Sequence, residues 1–285
     1  MRKFFWGHGA ITAIAERPGP PDRTGAALRF SAMALVGAVW ISSAIFGFYI
    51  LAYYGGAIQA STLEDWNETL PKLYEAHTPA ASTGIGAHFF AGAILLLLGP
   101  AQLIGEIRQK APAVHRWTGR VYAFAAFAAG VGGLVFIALK GTVGGPTMTV
   151  AFSLYGALMV LAAVQTVRHA MTRRLEVHRA WAIGLFALAI GSWLYRKGYG
   201  FWFLFTGDLG HTDDFSGWFD YFMDFAFFLP PLIIAEMFIR ARKSPATMAS
   251  RVVTTGAMAG GALFIATFFF TAYGWGLAIA TRFGA

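Results

Sequence analysis

Seven stretches of this chain are each an almost uninterrupted apolar run of about twenty residues or more, the length that carries a helix across the hydrocarbon core of a bilayer. They are Phe30–Ala57, Gly86–Ile107, Trp117–Leu139, Met148–Val167, His178–Tyr199, Trp218–Ile239 and Val252–Ala280. In lipid a backbone must satisfy its own polar groups, so runs of this length specify helices and exclude open sheets and long loops. Charged residues make up 13% of the 285 residues, against about 25% in a soluble domain. The expected fold is an all-α bundle of seven transmembrane helices.

The chain carries a net charge of +8, and its placement explains it better than a polyanionic partner would. Of 22 Lys and Arg, seventeen fall in four short stretches: up to Arg29, Arg108–Arg120, Arg168–Arg179 and Arg240–Arg251. These flank alternate ends of the spans and share one side of the bilayer. The positive-inside bias then places them, and the amino terminus, in the cytoplasm, with the carboxyl terminus outside. Nucleic acid is not an expected partner; the bilayer is. The opposite side receives an acidic loop with Glu64, Asp65, Glu68 and Glu75. With no cysteine, disulfides, thiolate metal sites and cysteine nucleophiles are excluded. The chain divides into a tail (1–29), a first span (30–57), an outer loop (58–85), a four-helix core (86–204) and a final portion (205–285) with helices six and seven.

Inside the core a pattern recurs. Gln102, Arg108 and Val114-His115-Arg116-Trp117 return as Gln165, Arg173 and Val177-His178-Arg179 with Trp181, and one offset of 63 residues separates both the glutamines and the histidines. A constant offset points to an internal duplication, its unit two membrane helices joined by a short basic turn, helices 2-3 and 4-5. Gly99-Pro100 is expected to break the second span, and Pro230-Pro231 to kink the sixth.

Ionisable groups within spans are costly and are functional suspects by default. At the basic end, His115 and His178 open helices three and five. In an up-down bundle those helices stand on the diagonal, so two imidazoles at equal depth are placed to clamp a heme iron. Gln102 and Gln165 lie about two turns inside spans two and four, and Arg116 and Arg179 are positioned for propionates. The alternative for the His-Arg pairs is helix anchoring in the headgroup layer. At the far end, His88 opens span two, and Arg196 lies 18 residues beyond His178, about 27 Å along the helix. Asp220 and Asp224, four apart, share one face. A buried Arg196–Asp224 pair is expected there, either as a structural bridge or, with His88 and Tyr195, around a polar head group such as a quinone carbonyl. A retinal pigment is excluded because span seven has no lysine for the Schiff base.

His88, Gly99-Pro100-Ala101-Gln102, Val114-His115-Arg116-Trp117-Thr118-Gly119-Arg120-Val121-Tyr122, Val177-His178-Arg179-Ala180-Trp181 and Arg196 together resemble the bacterial predicted membrane proteins grouped as domain of unknown function 2306. The resemblance implies a polytopic bacterial inner-membrane protein and supplies no activity. More loosely, the chain is similar to four-helix di-heme cytochromes of the b561 and ferric-reductase type, whose histidines lie on alternate helices. Three histidines stand at motif positions here where those proteins have four. The function expected is electron transfer by heme b held by His115 and His178, linked to quinone or a redox partner protein. The other class is non-enzymatic: a small-molecule transporter, or an accessory subunit within a homo-oligomer or larger complex.

Overall fold

The computed structural model describes residues 23–242 and 247–267 together with positions 275, 279 and 280. The aromatic run Phe268–Tyr273, most of the amino-terminal tail and the far carboxyl end lie outside the described residues. Among the described residues every regular element is helical: α1 (Arg23–Ala60), a 3₁₀ turn (Leu63–Glu68), α2 (Pro79–Leu103), α3 (Gly105–Lys110), α4 (Pro112–Lys140), α5 (Gly145–Met171), α6 (Leu175–Ala189), α7 (Gly191–Thr206), α8 (Trp218–Ala226), α9 (Leu229–Ala241) and α10 (Met248–Thr267). Seven segments are long and apolar enough to cross a membrane, α6 with α7 and α8 with α9 each counting as one.

The spans start earlier than apolar runs alone indicate. The first helix begins at Arg23, so Arg23 and Arg29 belong to it and not to a tail. The second begins at Pro79 and shortens the acidic loop. Pro100 sits inside α2 without ending it, and the helix runs three residues further. The sixth span does break, between α8 and α9, with Pro230 and Pro231 in the first turn of α9, where proline costs no hydrogen bond. The fifth also breaks, at Ile190, where Gly191 lets Tyr155 and Phe227 come close. Tyr155 donates its hydroxyl to the Leu188 carbonyl beside that break, at 2.8 Å.

Spans two to five form a closed four-helix bundle. α4 packs on α2 and α5, and α6 packs on α5 and α2, so α4 and α6 stand on the diagonal. Its core joins Leu95, Tyr122, Ala126, Tyr155, Met159, Leu185 and Leu188 with Phe219 and Phe227 of α8 and its C-cap. α4 is the helix most tightly held. A Cβ at Gly84 of α2 would lie 2.9 Å from the Gly132 carbonyl, and one at Gly130 would lie 3.0 Å from the Gly156 carbonyl of α5. Backbones meet at those two glycine contacts, as small residues allow between membrane helices. Around the bundle, α1 packs on α2 and α10, and α9 on α6 and α10. Phe30, Phe124, Val150 and Leu263 point outward, more than 60% exposed, as lipid-facing side chains do.

Loops and charges segregate. One end of the molecule carries α3, the turn at 172–174 and Arg242, and is basic. The other carries the loops at 61–78 and 207–217 and is acidic. Lys140, the last residue of α4, binds Glu75 at 2.7 Å and the Lys72 carbonyl at 2.9 Å, tying the long loop to the bundle. Its hydrogen bond holds the Glu75 carboxyl below the usual carboxylate range. Trp66 anchors the same loop, buried against Gly86 and donating to the Tyr54 carbonyl at 3.2 Å.

Candidate functional site

At the basic end the first turns of α4 and α6 present His115 and His178 to one cavity of 1910 Å³. These two helices start 63 residues apart, the offset of the sequence pattern. His178 is oriented: its Nδ1 lies 2.9 Å from the Thr166 carbonyl near the end of α5, so Nε2 is left for another partner. His115 Nδ1 is buried without a hydrogen-bond partner. Gln102 donates to Thr118 Oγ1 at 2.6 Å, and Thr118 in turn donates to the Val114 carbonyl. Gln165 Oε1 has no such partner, nor do Thr166 Oγ1, Tyr122 Oη and His169 Nδ1. Native proteins leave few buried polar atoms unpaired. All five lie in the same halves of α4 and α5, and His115, Tyr122 and Thr166 among them line the cavity, whereas Gln165 and His169 do not.

Guanidinium groups surround this mouth. Arg108, Arg116, Arg120, Arg179 and Arg242 all line the cavity with His115 and His178. Arg179 has only a distant Glu176 at 3.9 Å, and Arg120 lies over Trp117. Arg242, just past α9, is held below the usual arginine range by burial and by Arg179 and Arg108. Such a cluster is poised for an anion that takes up the charge. Away from the mouth the lining turns apolar along Leu185, Phe186, Ile190 and Phe227, and ends near Lys197, Trp202, Trp218 and Phe222. Among the described residues no group of three or more His, Asp or Glu could hold a bare metal ion.

The far end holds two separate arrangements where one was expected. His88 does not open its helix; it lies nine residues inside α2, Nδ1 2.9 Å from the Ala129 carbonyl and ring against Gly133. Arg196 lies over the Phe46 ring at 5.1 Å and within electrostatic range of His88 and Tyr49. The expected Arg196–Asp224 pair does not form, because Arg196 turns toward α1 and Asp224 toward the bundle. Asp224 is fully buried with neither oxygen hydrogen-bonded.

Asp220, equally buried, has four partners: the Tyr199 hydroxyl at 2.6 Å, His211 Nδ1 at 2.7 Å, and the backbone N–H groups of Thr212 and Gly217 at 3.1 and 2.9 Å. Sequence reasoning singled out neither Tyr199 nor His211 as partners of Asp220. The spacing of Tyr195 and Tyr199, matched to that of Asp220 and Asp224, was the available signal.

Seven apolar helices, a closed four-helix core and two polar layers at opposite ends define a polytopic α-helical membrane protein with a large cavity lined by arginines toward its basic end. The chain belongs to the family described as predicted membrane protein (DUF2306), which matches it over residues 85–239, from α2 to α9. It matches no curated protein and no solved structure.

Proposed function

We propose that the chain binds heme b at its basic end and serves as a membrane electron carrier. The observation that carries this reading is that His115 and His178, on diagonal helices, line one cavity, with His178 already oriented through Thr166. A backbone carbonyl on the far nitrogen is the usual device for aiming an imidazole at a metal. The residues also fit the rest of the group. The arginines of the mouth suit two propionates, and the apolar walls suit a macrocycle. Bound heme supplies one-electron chemistry. The protein's part is to orient the imidazoles, neutralise the propionates and exclude water. Quinone or a redox partner protein supplies or receives the electron, and His88 with Arg196 offers a polar contact for a quinone carbonyl. On this reading the basic face lies in the cytoplasm of a bacterial inner membrane, an orientation that the positive-inside rule favours.

A second reading is favoured by the reach of the cavity. It runs from the arginines to Trp218 and Phe222, the shape for an amphiphile with an anionic head and apolar tails. On this reading the protein carries such a molecule and needs no iron. One preparation separates the two. The protein is purified in mild detergent from heme-sufficient cells, its visible spectrum is recorded before and after dithionite, and its lipid extract is analysed by mass spectrometry. Sharpened α and β bands on reduction, lost in His115→Ala and His178→Ala, support the first reading. A colourless protein that retains an anionic amphiphile, and loses it on Arg179→Glu, supports the second and removes the first.

A further inference from the structure

Two residue pairs face each other across α7 and α8. Tyr195 and Tyr199 lie a turn apart on α7, Asp220 and Asp224 a turn apart on α8, and the two helices run in opposite directions. Once Tyr199 is joined to Asp220, Tyr195 stands in register with Asp224. The first rung is closed: Tyr199 donates to Asp220 Oδ1, which His211 also binds, and Asp220 Oδ2 takes two backbone N–H groups. The second rung is open. Tyr195 donates back to Tyr199 at 3.3 Å, and Asp224, 0% exposed, is left with both oxygens unpartnered.

Among the described residues nothing facing Asp224 balances a negative charge. On α8 the nearest ionisable group is Asp220, itself acidic. On α7, Arg196 is turned to Phe46 and Lys197 to Trp275, which leaves Tyr195. α5 brings Phe152 and Tyr155, the latter committed to the Leu188 carbonyl, and carries no charge before Arg168. The first charged residue of α9 is Glu236, toward the other end of the span. A carboxyl enclosed in this way is stable when it holds a proton. The contacts from Tyr195 to His211 form an unbroken chain that ends at the acidic face, where the His211 side chain is 16% exposed.

We propose that Asp224 is a proton-binding site and that His211, Asp220, Tyr199 and Tyr195 are the relay through which it exchanges its proton with water at the acidic face. A proton taken up by the His211 imidazole passes to Asp220. Each phenol hydroxyl then accepts one proton as it gives up its own, and the last is delivered to the Asp224 carboxylate. No electron moves and no charge is left on the tyrosines. Inward delivery needs two rotations, because both hydroxyls donate toward His211: that of Tyr199 swings from Asp220 to Tyr195, and that of Tyr195 swings from Tyr199 to Asp224. This site is independent of the cavity at the basic end and stands whether or not heme is bound.

The test is infrared spectroscopy of the full chain in liposomes, transferred from H₂O to D₂O. Wild type is expected to show the carbonyl stretch of a protonated buried carboxyl, shifting in D₂O. Asp224→Asn removes it, or Asp224→Glu shifts it where the amide variant fails to fold. Tyr199→Phe keeps the band but slows its exchange by about tenfold or more, as a barrier raised by about 1.4 kcal/mol does. Absence of the band in folded wild type, its persistence in Asp224→Asn, or unchanged exchange in Tyr199→Phe overturns the proposal.

Discussion

Gly132→Ala tests the packing that sets the whole bundle. The added methyl collides with the Gly84 carbonyl and lies 3.2 Å from the His88 backbone nitrogen; the reciprocal Gly84→Ala puts a methyl 2.9 Å from the Gly132 carbonyl. Neither obstacle is a side chain that can rotate away. Restoring ordinary contact parts α2 from α4 by about half an ångström, and interiors at this density do not absorb that locally. One turn away, the His88–Ala129 contact of 2.9 Å is stretched as well. Overpacking of this kind costs about 1–3 kcal/mol. Gly92→Ala, on α2 with nothing within 4 Å of its added Cβ, is the control. It is expected to gain about 0.5–1 kcal/mol from helix propensity. The measurement is the unfolding free energy of each variant by denaturant titration in mixed micelles. Both substitutions gain that propensity, so a separation of about 1–3 kcal/mol between Gly132→Ala and Gly92→Ala is expected from the overpacking. Equal stabilities would refute the claim that backbone contact at Gly84 and Gly132 fixes the approach of α2 and α4.

Trp66→Ala removes a buried indole and its bond to the Tyr54 carbonyl; a loss of about 3–5 kcal/mol in the same titration is expected. Tyr155→Phe deletes the hydroxyl bound to the Leu188 carbonyl and should cost about 0.5–1.5 kcal/mol, seen with faster amide exchange around Ile190. For Glu75, whose carboxyl is held low by Lys140, the folded form binds its proton less readily than the unfolded one. Its contribution is therefore full above the ordinary glutamate range and fades as pH falls through the lower folded value. Limited proteolysis of the 61–78 loop should accelerate over that acidic interval in wild type, and Glu75→Gln should remove the dependence.

The spans were legible because bilayer thickness dictates their length, and the diagonal placement of His115 and His178 followed once an up-down bundle was assumed. Helix starts were less legible, since Arg23 and Pro79 are compatible with a helix that begins before its apolar run does. The break in span six could be anticipated from Pro230-Pro231, whereas that in span five has no proline and depends on Tyr155, a residue from another helix. The Arg196–Asp224 pairing failed for a related reason. Sequence gives depth along a helix but not rotation about it, and Arg196 and Asp224 share a level while facing different neighbours. The pairing of His211 with Asp220 was not legible because it forms only when the 207–217 loop folds over the end of α8.

The rings beside Arg196 and Lys197 also bear on the order in which the protein is made. Phe46, beneath Arg196, belongs to the first span and is in the membrane long before the fifth leaves the ribosome. Trp275, beneath Lys197, is translated after the seventh apolar segment. The fifth span therefore enters the bilayer with one cation's aromatic neighbour in place and the other's not yet synthesised, so this corner of the bundle reaches its final environment only once position 275 has been added.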